Sequence, residues 1–472
     1  MLVYYNKNGV SEEIEVNNFY YDIACKMKNE PLTKNIDEIK ISTDDGSVEY
    51  QIKSRNNTQF ICEVHNSLPD KYLDKNIKDK FLTCVIPEKN AYKFYKLSIL
   101  NNKVKASYGR MGTAKGELFG ERTYEYPLSM FWIKYFEKLG KGYIDRTEYY
   151  LDSEKVTKKN LKQSRKSKNS LNNPSFNLFS TLQEYSKKTV KKAKIQVPIT
   201  EAIIDKSKEL VNKMRQSKSV NEFNNNLMEL IAILQRPIRT GNGSGVKEIM
   251  ASSKSDFGSI ITRETDLIAA MEGSDIAISV NDDFSKYGIE VYYATESQKK
   301  QVISHLSDTL KPKVKNVYRV IPKEQQKRFN DYLKEHNISK VKQLWHGSRN
   351  ENWISIIKNS LLLNPDAIIT GKMFGSGIYF APSSMKSWNY TSYNGSYYAK
   401  GTDKKAFMGL YAIAYGSPYD VQVWSSAEDY KNSTLKNGYN CLHAHAGTSL
   451  LNDEIVLYNE AAIVLNYIVE FE

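Results

Sequence analysis

The sequence predicts a multidomain α+β protein: a small β-rich N-terminal module, a compact α+β unit, an α-helical region, and a C-terminal domain built on antiparallel strands. Three observations carry this. The chain has 472 residues, where one domain takes roughly 150, so about three domains are expected. Apolar residues alternate at the strand period over the first 150 residues and again after Pro312, whereas from 200 to 272 they recur at three and four, as on one face of a helix. Between these textures lies a run of basic residues with no acid in it.

In residues 1–75, the stretches 37–43 (DEIKIST) and 47–53 (SVEYQIK) flank Asp45-Gly46, a strong hairpin signal, and 59–64 (QFICEV) reads as a third strand. No chemistry attaches to this module. Over 76–150, FLTCVIP, YKFYKLSIL and KVKASYGRMG read as strands, followed by a helix at 128–139 (LSMFWIKYFEKL) that packs on them. Residues 151–172 form a basic linker: 155–168 carry seven Lys/Arg and no acid. A second run, 187–194, carries five lysines. Such runs are most often solvated; the sharper reading is contact with phosphate backbone through Lys158, Lys159 and Arg165. Residues 173–310 are helical, with Ser219 as an N-cap and Pro237 as a stop. The glycine loop RTGNGSG (239–245) lacks the strand and the Gly-Lys-Ser/Thr ending of a P-loop, so it reads as a connection. From 311 to 472 short strands alternate with tight glycine turns.

The charge balance, 67 Lys and Arg against 54 Asp and Glu, is +13, which suggests a polyanionic partner such as nucleic acid. Cys25, Cys62, Cys84 and Cys441 show no CxxC spacing, so neither a disulfide scaffold nor a structural zinc finger is expected, and a reducing compartment fits. Residues 2–9 (LVYYNKNG) have no signal-peptide character and no run approaches the roughly 18 apolar residues of a membrane span. An intracellular protein without membrane attachment is expected.

Three segments of the last domain carry chemistry: LWHGSR at 344–349, TGKMFGSGIYFAPSSMKSWNY at 370–390, and LLNDEIVLYNEAA at 450–462. Together they resemble the poly(ADP-ribose) polymerase family. The resemblance implies an antiparallel-β ADP-ribosyltransferase domain with a triad of His346, Tyr379 and Glu454, NAD as ADP-ribose donor, release of nicotinamide, and no metal. The residue types suit that chemistry, because departure of nicotinamide leaves oxocarbenium-like charge on the ribose, which a carboxylate stabilises. Glu454 takes that role. Asp453, its neighbour on an alternating strand, should point to the opposite face, and Glu460 competes less well. By the same resemblance Tyr379 and Tyr390 sandwich the nicotinamide, Gly347 and Ser387 hold its carboxamide, His346 holds the adenosine ribose, and Ser348 belongs to the donor site. Where the family commonly has an arginine before a proline-containing loop, this chain reads NSLLLNPD. His305, His336, His443 and His445 are expected to be structural. The last two, spaced i and i+2, are a weak metal hint without a further ligand in view, and they could line the acceptor side.

Residues 81–150 resemble the WGR domain that accompanies this catalytic domain in DNA-dependent members, through KFYKLSIL, SYGRMGTAKGELF and FWIKYFEKLGKGY. Tyr108 stands at the name-giving tryptophan and Arg110 at its arginine. The resemblance implies that these two read a DNA strand break by stacking and phosphate contact; the plainer role is a packed tyrosine and an internally bonded arginine. Position implies that the helical region is the family's autoinhibitory one. The implied protein is a compact microbial or viral member, cytoplasmic or nucleoid-associated in a prokaryote and nuclear in a eukaryote. It would transfer (poly-)ADP-ribose to itself and to other proteins when DNA is broken. Two alternatives stay open: a mono-ADP-ribosyltransferase of protein or nucleic-acid ends, and a non-enzymatic DNA-binding scaffold.

Overall fold

The computed structural model of the chain describes residues 2–7, 10–15, 35–42, 49–56, 77–111, 119–150, 173–195, 197, 199–238, 245–275, 284–363 and 373–472. The N-terminal strands β1 (Leu2–Lys7), β2 (Val10–Glu15), β3 (Asn35–Ser42) and β4 (Glu49–Asn56) form a sheet of order β2-β1-β3-β4. Strands β3 and β4 pair antiparallel with Ser42 opposite Glu49, as the Asp-Gly hairpin signal requires. The stretch 59–64 lies outside the described residues.

The expected strands of the next unit are β5 (Lys80–Ile86), β6 (Ala91–Leu100) and β7 (Lys103–Arg110); the structure adds β8 (Phe119–Pro127) and the short β9 (Ile144–Asp145), in the order β8-β7-β6-β5-β9. Helix α1 (Phe131–Gly140) lays Phe131 on Leu82, Tyr95, Leu97, Val104 and Ala106. Residues 231–249 belong to the same compact unit. The buried Tyr150 and Tyr92 hydroxyls donate to their carbonyls, at 2.9 Å to Ile233 and 3.3 Å to Ile231.

Among the described residues the second compact unit holds 173–194, 199–230, 250–275, 284–363 and 373–472. Its helices are α2 (Pro174–Ala193), α3 (Glu201–Gln216), α4 (Val220–Ile233, whose last three residues fall in the first unit) and α5 (Phe257–Asp275). Their starts follow local chemistry. The Asn173 side chain accepts from Phe176 N at 3.2 Å ahead of Pro174, Thr200 Oγ1 accepts from Ile203 N at 3.3 Å, and Ser219 accepts from Glu222 N at 3.1 Å. The lysine run 187–194 forms the last turns and C-cap of α2: an amphipathic helix leaves its polar face to lysines, and Lys188 pairs with Asp403 at 2.9 Å.

The elements that follow are β10 (Ile289–Tyr293), α6 (Glu296–Ser304), β11 (Val314–Pro322), α7 (Lys323–Glu335), β12 (Val341–Gly347), α8 (Trp353–Asn359), β13 (Ile378–Phe380), α9 (Ser384–Trp388), β14 (Ala406–Ala414), β15 (Pro418–Val421), α10 (Tyr430–Lys436), β16 (Cys441–Ala444), β17 (Glu454–Leu457) and β18 (Ile463–Phe471). They build a five-stranded sheet β10-β11-β18-β14-β12 and a four-stranded sheet β13-β17-β16-β15. The larger sheet therefore starts at Ile289, ahead of the boundary expected at 311. Strand β14 is buried at all nine positions because it lies between β18 and β12 with a core on each face. Phe407, Tyr411 and Ile413 face one core, which also takes Leu178, Phe179 and Leu182 of α2, while Met408 and Leu410 face the other, with Val302, Leu306 and Trp388. The helical stretch and the transferase-like sheet thus share one core. Among the described residues no helix is long and apolar enough to cross a membrane.

Candidate active site

The two sheets meet where Trp345 and Ala381 exchange backbone hydrogen bonds of 3.0 and 3.1 Å, joining the end of β12 to the residue after β13. Strand β13 then pairs antiparallel with β17, Tyr379 opposite Val456 and Phe380 opposite Ile455. Three strands distant in sequence so lie side by side, and they carry His346, Tyr379 and Glu454. His346 Nδ1 is 3.1 Å from the Tyr379 carbonyl, which can only accept, so that nitrogen carries the proton. The Tyr379 hydroxyl donates to the Gly375 carbonyl at 2.9 Å and accepts from Phe374 N at 3.1 Å. Burial, with the negative charge of Glu454 nearby, pushes its ionisation well above the usual phenol range. It stays a neutral phenol at any physiological pH.

Glu454 opens β17 opposite Ala444 of β16. Its Oε1 is 2.6 Å from Lys386 Nζ, with the two side chains only 14% and 13% exposed, and the same ammonium donates to the Asn452 carbonyl at 3.1 Å. The sequence did not single out Lys386. It directly precedes Ser387 in a motif already read, but one lysine among 67 basic residues carries no mark until the fold sets it against a carboxylate. The competing acids are engaged elsewhere. Asp453 points to the other face, toward His443 and the amide of Ala446, and Glu460 accepts from Leu363 N at 2.7 Å. Asp453 and Glu454 therefore point to opposite faces, as strand alternation predicts.

The donor-side residues cluster around α9. Ser387 Oγ donates to the Trp345 carbonyl at 3.0 Å. Gly347 is needed as glycine: a Cβ there would lie 1.8 Å from the Ser387 carbonyl oxygen, backbone against backbone. At Gly377 a Cβ would come within 2.1 Å of Val456 Cγ1. Ser348 Oγ accepts from Asn352 Nδ2 at 3.2 Å. Tyr390 is half-exposed and its ring stacks on Tyr398 at 4.7 Å, a neighbour the sequence did not suggest. Burial, with Tyr398 and Glu454 close by, pushes its phenol up to about 12. Residues 364–372, which include part of the proline-containing loop, lie outside the described residues.

His336 stacks on Tyr332 and contacts its carbonyl, and the His305 carbonyl accepts from the Trp345 indole, so both are tied into the fold. His443 and His445 are different. Their lack of a further ligand in the sequence is corrected by the fold, because parallel pairing of β15 with β16 brings Asp420 opposite His443. In the other unit Tyr108 stacks on Tyr95 at 5.8 Å, and Arg110 donates to the Asn90 carbonyl and side-chain oxygen at 2.8 and 2.9 Å. Lys158, Lys159 and Arg165 lie outside the described residues.

Residues 292–472 match the family model of the poly(ADP-ribose) polymerase catalytic domain. The chain is similar to a poly(ADP-ribose) polymerase-like protein of Invertebrate iridescent virus 6, 31% identical over 160 residues, which cover 32% of this chain and 83% of the viral protein. It is also similar to poly(ADP-ribose) polymerase 1 of Danio rerio, 23% identical over 451 residues, covering 80% of this chain and 43% of that protein, and to poly(ADP-ribose) polymerase of Drosophila melanogaster, 28% identical over 189 residues, covering 34% of this chain. It spans only 18% of the length of the Drosophila protein. The family model spans the strands that carry His346, Tyr379 and Glu454, and with the viral relative matched over 83% of its length the chain belongs to the poly(ADP-ribose) polymerase family and is an NAD+ ADP-ribosyltransferase.

Proposed function

We propose that the chain transfers ADP-ribose from NAD to protein acceptors, itself included, in response to DNA strand breaks, with Glu454, Tyr379 and His346 as the working triad. The observation that carries the reading is that the strands bearing these three residues, β12, β13 and β17, lie side by side. As the bond from ribose C1′ to nicotinamide breaks, its electron pair leaves with nicotinamide and positive charge builds on the ribose, where the Glu454 carboxylate stabilises it and takes the proton of the attacking acceptor. Lys386, 2.6 Å away, orients the Glu454 carboxylate. Gly347 and Ser387 hold the carboxamide, Tyr379 and Tyr390 flank the ring, and His346, its tautomer set by the Tyr379 carbonyl, presents Nε2 to the adenosine ribose.

Break sensing is assigned to the unit around Tyr108 and Arg110 and to the basic run that includes Lys158, Lys159 and Arg165. Support comes from the zebrafish alignment, which covers 80% of this chain and so runs well ahead of residue 292. An internally bonded Arg110 would have to exchange the Asn90 oxygens for a phosphate. Intracellular work on DNA follows, and the helical region is assigned to holding the enzyme in check. The test is incubation of the chain with labelled NAD, with and without blunt or nicked DNA, followed by sizing of the product. Polymer that rises at least tenfold with DNA and disappears in Glu454→Gln is expected. Unchanged product in Glu454→Gln would refute the triad, equal product without DNA would refute break sensing, and a single transferred unit would establish mono-ADP-ribosylation.

A further inference from the structure

The face of the smaller sheet opposite Glu454 carries a second group of side chains, on β15 and β16, that the transfer reaction does not use. Strands β15 and β16 run parallel with Asp420 opposite His443, and His445 follows two residues later, so both imidazoles and the carboxylate project to one side. Asp420 Oδ1 is 2.7 Å from His445 Nε2 and 3.7 Å from His443 Nδ1, and one donor atom from each of the three residues lies within 4.8 Å of the others. Zinc bound tetrahedrally at ~2.0–2.1 Å to nitrogen and oxygen sets its ligand atoms about 3.4 Å apart. The observed separations bracket that value.

The surroundings of His443 fit the same role. Its Nε2 is 2.9 Å from Asp453 Oδ2, and Asp453 is itself held by the Ala446 amide at 2.8 Å. A carboxylate on the outer nitrogen of an imidazole orients the ring and leaves the lone pair of the inner nitrogen for a metal, the usual outer shell of a histidine ligand. That nitrogen lies 3.7 Å from Asp420 Oδ1 and is bonded by the Tyr415 hydroxyl at 2.7 Å, a hydrogen bond that a cation would displace. Unequal sharing of one carboxylate by two rings whose centroids are 4.0 Å apart is what a cation between them would even out. His443 is buried, while the Asp420 side chain is 54% exposed, so solvent reaches the group from one side only.

We propose that Asp420, His443 and His445 form a binding site for a borderline divalent cation of the zinc type, with a fourth position open to water. Two imidazoles and one carboxylate select zinc, nickel or copper over magnesium or calcium. Because Asp453 adjoins Glu454, the bound ion braces the start of β17 from the face away from NAD.

The test uses the full chain, freed of metal by a chelator and desalted. Cobalt(II) serves as spectroscopic probe, and zinc(II) is titrated by calorimetry. Visible cobalt absorption that zinc abolishes is expected, with one equivalent bound at micromolar affinity or tighter. His445→Ala and Asp420→Asn should lose that equivalent, and Asp453→Asn should weaken it about 10- to 100-fold. His445 and Asp420 lie at the surface, so both variants should fold, which circular dichroism checks. Absence of the cobalt signal, or the same stoichiometry and affinity in folded His445→Ala as in the parent, would overturn the proposal. The readout is binding itself, so it stands or falls apart from the transferase reading.

Discussion

Glu272→Gln is expected to loosen the seam between α5 and α8. Glu272 is 4% exposed and accepts from Lys208 Nζ at 3.0 Å, Ser355 Oγ at 2.8 Å, Lys358 Nζ at 3.0 Å and Asn359 Nδ2 at 3.2 Å. Burial alone would raise its carboxyl, but the Lys208 charge, the Ser355 hydroxyl and Lys358 outweigh it and hold the group at about 2, against 4.5 for an ordinary glutamate. At ~1.4 kcal/mol per pH unit the gap corresponds to about 3 kcal/mol of folding stability. The lysine side chains are 38% and 29% exposed, so solvent screening brings this to about 2 kcal/mol. The sign is set by the depressed value: the contribution is complete above pH 4.5 and is lost as the pH falls toward 2. Thermal melts should therefore show Glu272→Gln several degrees below the parent at pH 7, with the difference shrinking by pH 3. Equal melting temperatures at pH 7, or a gap that widens on acidification, would refute the assignment of this carboxylate as a buried anchor.

Two further substitutions probe the site. Gly347→Ala forces its Cβ against the Ser387 carbonyl oxygen, so β12 and α9 must separate; the thermal shift given by a nicotinamide-mimicking ligand should fall as its affinity drops at least tenfold, while an unchanged shift would contradict the close approach. Lys386→Met removes the ammonium 2.6 Å from Glu454 and should lower kcat at least tenfold with KM for NAD changed little; a parental kcat would show that the pair is not used in turnover.

Much of the candidate site was legible because the motifs keep the candidate residues close to glycines that permit close backbone approach. Alternation set Asp453 and Glu454 on opposite faces, the family register of Tyr458 and Tyr467 favoured Glu454, and capping chemistry located the start of α4 at Ser219. What escaped was whatever depends on partners distant in the chain. Lys386 reads as one more surface cation until β17 is set beside it. Tyr398 becomes a stacking partner of Tyr390 only once the chain doubles back after α9.

By itself, then, the sequence determined the strand and helix textures, the family motifs and the order of the candidate site residues, since these rest on periodicity, turn chemistry and local spacing. The tertiary structure alone decided that α2 shares a core with the transferase sheet, that Glu272 anchors α5 to α8, and that Asp420 completes a trio with His443 and His445. Each of these depends on burial and strand pairing between segments tens of residues apart or more, where no local rule acts and only the packed chain brings the charges and rings within bonding distance.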